Sequence, residues 1–135
     1  MLTELVGVLD DGSVQTDDAP VNPRTTLHIQ LGASQIVRLR VVRPDGTPVT
    51  LTGCSLVLTA KRRPQDAERL LSKVGALNTA RGLNCADFVL APTDTHNVMW
   101  GHAVYDIWLT DSASQRNPVI PASPMIFDAS VAPIP

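Results

Sequence analysis

Apolar and polar residues alternate along most of the chain from residue 25 onward. Residues 25–31 (TTLHIQL) put Leu27, Ile29 and Leu31 on one face and Thr26, His28 and Gln30 on the other. Gly32 breaks the run. Residues 34–43 (SQIVRLRVVR) resume it, with Val37, Leu39 and Val41 opposite Arg38 and Arg40. Residues 54–61 (CSLVLTAK) set Cys54, Leu56, Leu58 and Ala60 against Ser55, Val57, Thr59 and Lys61. Ala86, Phe88 and Leu90 alternate with Asp87 and Val89. In residues 102–110 (HAVYDIWLT), Ala103, Tyr105, Ile107 and Leu109 point in, while Val104, Asp106 and Trp108 point out. A period of two predicts strands with one buried and one wet face.

Between these runs lie breakers. Pro44, Asp45 and Gly46 offer a preset φ, a side chain that caps its own turn and a residue free to take positive φ. Residues 49–51 restart an apolar run that Gly53 ends. Residues 62–68 (RRPQDAE) read as a loop, residues 69–75 as a strand or one helical turn, and residues 76–84 as a loop. Pro92 to Thr95 resemble a helix start capped by Asp or Thr, running one turn to Val98. Residues 119–120 and 125–131 supply closing edge strands. Five of the 11 prolines fall in residues 118–135, which makes that tail extended and poorly able to pair. Residues 1–24 hold an apolar cluster (Leu2, Leu5, Val6, Val8, Leu9) without a sustained period, and read as an arm. About seven short strands with turn signals between them indicate an all-β, immunoglobulin-like β-sandwich, with a closed barrel as the alternative. The arm takes residues 1–24, the sandwich 25–131 and the tail 132–135.

At 135 residues the chain is about one domain long. An apolar share of 44% and a charged share of 18% suit a packed core. No run of apolar residues is long enough for a transmembrane helix, and MLTELVGVLDDGS lacks the basic region of a secretory signal. Synthesis in a cytoplasm-like compartment is expected. Cys54 and Cys85 are too sparse for a disulfide framework and read as free thiols.

Charge is segregated. Residues 1–23 carry five acids and no base; residues 24–81 carry ten bases against Asp45, Asp66 and Glu68; residues 82–135 carry five acids against Arg116. Either neighbouring molecules meet through complementary charge or the ends fold back over the middle.

Candidate chemistry is thin. His96 and His102 lie near Asp94, but their spacing does not make a compact ligand set, so no metal and no cofactor are expected. Cys54 is in phase with Leu56 and Leu58 and reads as a small core residue. Cys85 stands beside Asp87, which raises a thiol pKa. There is no Gly-x-Ser-x-Gly and no glycine-rich phosphate loop. The paired carboxylates Asp10-Asp11 and Asp17-Asp18 sit in the arm, where catalytic geometry is not held. An enzyme is not expected. Lys61, Arg62 and Arg63, with Arg38, Arg40 and Arg43 on a nearby strand, form the one basic concentration. All five aromatics follow residue 87, so the interleaving that nucleic-acid stacking needs is missing. A contact with protein suits these bases better, and so does a plain solvated face. Trp108 is the residue to watch: outward on its strand, it marks an interface unless the arm covers it. The candidate interface residues are therefore Leu5, Val8, Asp10, Asp11, Asp17, Asp18, Arg38, Arg40, Lys61, Arg62, Arg63 and Trp108.

The order of motifs adds a resemblance. Residues 43–53 (RPDGTPVTLTG), 87–90 (DFVL), 93–95 (TDT) and 101–111 (GHAVYDIWLTD) follow one another as in the small immunoglobulin-like sandwich domains of tailed-phage structural proteins. The N-terminal domain of upper baseplate proteins is the family it resembles most, over roughly residues 33–131. That resemblance implies a virion scaffold or attachment role without catalysis, with other virion proteins and copies of itself as partners, and no nucleic acid or membrane. Those baseplate proteins continue into a long stalk, whereas this sequence ends soon after the sandwich. A tail, baseplate or fibre-adaptor component is the first expectation. A capsid decoration protein is the second. A carbohydrate- or receptor-binding module, stacking sugars on Trp100, Tyr105 and Trp108, is the third.

Overall fold

The computed structural model describes residues 2–9 and 26–129. The described strands are β1 (Leu2–Val8), β2 (Leu27–Gln30), β3 (Gln35–Val42), β4 (Ser55–Lys61), β5 (Leu71–Val74), β6 (Ala76–Leu77), β7 (Cys85–Leu90), β8 (Gly101–Thr110) and β9 (Arg116–Asp128). Each strong alternation in the sequence is a strand here. Val37, Leu39, Leu56, Leu58, Phe88, Ile107 and Leu109 all face the core and are buried.

Two sheets result, ordered β1-β3-β7-β6 and β2-β9-β8-β4-β5. Apolar inner faces can be hidden only against each other, so the sheets stack as a β-sandwich. The all-β sandwich expected from the sequence is the observed architecture. Both sheets are mixed, with β1 parallel to β3 and β2 parallel to β9. The parallel pairs are those of the edge strands β1 and β2, and the other described pairings are antiparallel, as immunoglobulin sheets are.

The turn after β3 follows its residue types. Asp45 Oδ1 accepts from the Thr47 amide at 3.0 Å and from its hydroxyl at 2.6 Å, and Gly46 sits at φ +87°. The restart after it makes only a bridge between Val42 and Pro48. Val49 and Leu51 are buried, held by bonds from their amides to the carbonyls of Val41 and Leu83. The ambiguous residues 69–75 contain β5. A 3-10 helix spans Pro92–Thr95, and its Asp94 carboxylate accepts the Ala91 amide at 2.7 Å.

Three expectations need correction. First, residues 2–8 of the expected arm are a strand, in register with β3 from Leu2–Ile36 to Val8–Val42, and residues 10–24 of that arm lie outside the described residues. Its inward positions include Thr3, Leu5 and Gly7, so no apolar alternation was visible. Gly7 stands where a Cβ would lie 3.1 Å from the Val119 carbonyl oxygen. Second, residues 76–84 are not wholly loop, since Ala76–Leu77 pairs with β7. These two additions carry the strand count past seven. Third, the C-terminal run is one continuous strand rather than two pieces, and β2 covers only its Met125–Asp128 end, so the stretch before it is the edge that its prolines indicated. Register shifts between Tyr105/Ile107 and Ile107/Trp108 let β9 bulge. The bulges explain why adjacent Val119 and Ile120 are both buried.

Candidate docking faces

On the outer face of the five-stranded sheet, register builds an apolar row. Val74 is opposite Val57, Val57 is opposite Trp108, and Trp108 is opposite Pro118. Val74 is 69% exposed, and the other three are half-buried. The guanidinium of Arg116 lies 5.1 Å from the Trp108 ring centre, a cation–π distance. A groove of about 240 Å³ runs beside the ring, lined by Val57, Thr59, Arg69, Trp108, Thr110 and Arg116. Neither Arg69 nor Arg116 has a carboxylate partner among the described residues. The face thus offers an aromatic floor between two available cations, suited to an extended acidic segment with apolar side chains.

The outer face of the four-stranded sheet is built differently. Arg38 lies between Glu4 on β1 and Asp87 on β7. Its Nε donates to Asp87 Oδ1 at 2.8 Å and its Nη2 to Oδ2 at 3.2 Å, while Asn78 Nδ2 donates to Oδ2 at 2.8 Å. The hydrogen bonds from Arg38 hold the Asp87 carboxyl below the usual range, with burial opposing, and the same pair raises the Arg38 pKa. One row along, Leu2, Ile36 and Val89 stand side by side, with Leu2 50% and Val89 56% exposed.

The expected basic concentration does not form. β3 and β4 belong to different sheets, so Arg38 and Arg40 stand apart from Lys61, Arg62 and Arg63. Arg38 is spent on Asp87. Arg62 donates to the carbonyls of His102, at 2.9 Å, and Met99, and its guanidinium lies 5.8 Å from the Phe127 ring centre. Arg63 pairs with Asp66 at 3.3 Å. Arg40 is exposed, and Lys61 lies opposite Val104. Leu5 and Val8 are buried, so their side chains add no exposed surface. Asp10, Asp11, Asp17 and Asp18 lie outside the described residues. Of the described candidates, Arg40 and Arg63 are exposed, and Trp108 and Lys61 are half-buried at outward positions of their strands. Sequence reasoning missed Arg69, Arg116, Val74 and Pro118, because only cross-strand register brings those residues of β5, β9 and the loop before β5 beside Trp108.

The reactive groups are dispersed. His28 Nδ1 is 3.2 Å from Asp128 Oδ2, and no group of three His, Cys, Asp or Glu side chains among the described residues is arranged to hold a metal ion. Cys85 is buried and Cys54 half-buried, neither in a disulfide. Burial raises both thiol pKa values, with Asp111 adding to it at Cys54 and Asp87 at Cys85. Tyr105 is buried in the core, and burial raises its phenol. Trp100 is 69% exposed but precedes the start of β8, roughly 25 Å along the strand direction from Trp108. The three aromatics therefore do not form one sugar platform.

No family model matches the chain, and no curated protein matches it in sequence. One similar solved structure is the "N-terminal domain of phage TP901-1 ORF48", at 11% identity and a TM-score of 0.45, over 94% of this chain and 98% of that one. A likeness this loose carries no functional inference.

Proposed function

We propose that the chain is a non-catalytic structural component of a tailed-phage virion, in the tail, baseplate or a fibre adaptor. The observation that carries the contact role is the outward apolar row Val74–Val57–Trp108–Pro118 with Arg69 and Arg116 beside it. An aromatic floor flanked by available cations suits protein docking through apolar burial and charge complementarity. The virion setting is supported by the motif order shared with phage sandwich domains. Trp108 with Arg69 and Arg116 would meet an acidic segment of a neighbouring virion protein, and Arg40 would add a contact on the opposite face. Capsid decoration is the competing position and uses the same physics.

Mass spectrometry of purified particles, with antibody labelling seen by electron microscopy, tests this reading. The expected result is a stoichiometric particle protein with label at the tail. Label over the head favours decoration. Absence from washed particles overturns the virion role.

A further inference from the structure

A sheet edge presents unpaired backbone N–H and C=O groups, and soluble proteins blunt such edges. The described edges of this sandwich can be compared one by one. β6 is two residues long and β2 four. β5 is four residues long and carries Lys73 opposite buried Leu58, a charge on the core-facing side that reaches Asp94 at 3.0 Å. The part of β9 that β2 leaves unpaired contains Pro118, Pro121 and Pro124, which have no N–H to offer. Among the described residues, β1 has none of these devices. It runs seven residues, LTELVGV, without proline or lysine. On its outer face Leu2 is 50% and Val6 38% exposed.

We propose that β1 is the edge through which two copies of this chain pair, antiparallel and centred on Leu5, to make one continuous eight-stranded sheet. The register follows from the side chains. Centring on Leu5 sets Leu2 opposite the partner's Val8, Thr3 opposite the partner's Gly7, and Glu4 opposite the partner's Val6. Outer-face residues then meet outer-face residues, as the pleat requires. The single charge of the strand faces an apolar side chain, whereas centring on Glu4 would oppose two carboxylates. The contact is isologous and closes at two copies. It rests on the reading of the chain as an assembly component and names one partner for it.

The full-length protein tests this by sedimentation equilibrium across a concentration series. Wild type is expected to show a monomer–dimer equilibrium. Val6→Lys sets each new lysine opposite the partner's Glu4 and should keep the dimer. Glu4→Lys with Val6→Lys sets lysine opposite lysine twice, and should weaken the dimer by about tenfold or more. Circular dichroism confirms that both variants fold, as expected for exposed positions. Glu4→Cys with Val6→Cys, in a Cys54→Ser background, should give a covalent dimer on oxidation. A wild type that stays monomeric throughout overturns the proposal. So does equal dimerisation of the two lysine variants, or no cross-link. Failure here with the chain still present in particles would leave the virion reading intact, and a dimer absent from particles would do the reverse.

Discussion

At the residue scale, the side chains that matter most are those whose surroundings leave no room to adjust. Phe88 is fully buried, and a Cβ on Gly75 would lie 3.2 Å from its ring. Phe88→Ala should cost about 3–5 kcal/mol, and Gly75→Ala about 1–3 kcal/mol through overpacking, both read by urea denaturation. Asp87 has a different signature, because its folded pKa lies below the unfolded one. Its contribution is complete above the unfolded value of about 3.9 and is lost as pH falls through the lower folded value. Asp87→Asn should therefore lower the thermal midpoint at neutral pH. It should also flatten the loss of stability that wild type shows below about pH 4. Asp94 adds a second, separate loss in the same direction: burial opposes, but the bonds from Ala91 and Lys73 prevail. Trp108→Ala should reduce particle incorporation much more than thermal stability. An equal fall in both would make Trp108 a packing residue.

At the element scale, local chemistry and long-range pairing divide the work. The Pro44–Asp45–Gly46 turn is local: proline, a capping carboxylate and positive φ close it without help from elsewhere. A Cβ at Gly46 would touch nothing within 4 Å, so its cost is backbone strain alone. Gly46→Ala should cost about 1–2 kcal/mol by urea denaturation, with unchanged association. β1 and β9 are the opposite case. β1 reads as an arm because Thr3 and Gly7 occupy inward positions. β9 reads as fragments because its bulges shift the inward phase, while its prolines mark the edge that β2 leaves uncovered. β3, β4, β7 and β8 were legible to within a residue at each end, since each keeps a period of two through its centre.

At the scale of the whole molecule, the two outer faces do different jobs. The four-stranded sheet ties its central charges together through Arg38, Asp87 and Asn78, and β1 pairs on one side only among the described residues. The five-stranded sheet gathers an apolar row and two available arginines around Trp108. The segregation of charge seen along the chain does not survive as one basic patch, because β3 and β4 part into opposite layers. If the Trp108 face receives an acidic segment, raising salt from 50 to 500 mM should weaken that contact strongly, as its guanidinium groups are solvent-accessible. It should leave a β1-mediated dimer nearly unchanged, since its backbone bonds carry no net charge. Pull-down and sedimentation across a salt series separate the two.

By itself the sequence determined which side of each regular strand faces inward, where the proline and glycine turns fall, and that Trp108 points outward. These are local properties, written in a period of two and in residues with restricted or unusual φ. Only the tertiary structure decided that β1 joins β3, that β9 runs between β8 and β2, and that Val74, Val57, Trp108 and Pro118 form one row. Those facts depend on register between segments far apart in the chain. Register is set by which apolar faces can be buried together, so it is a property of the assembled sheets rather than of any one segment.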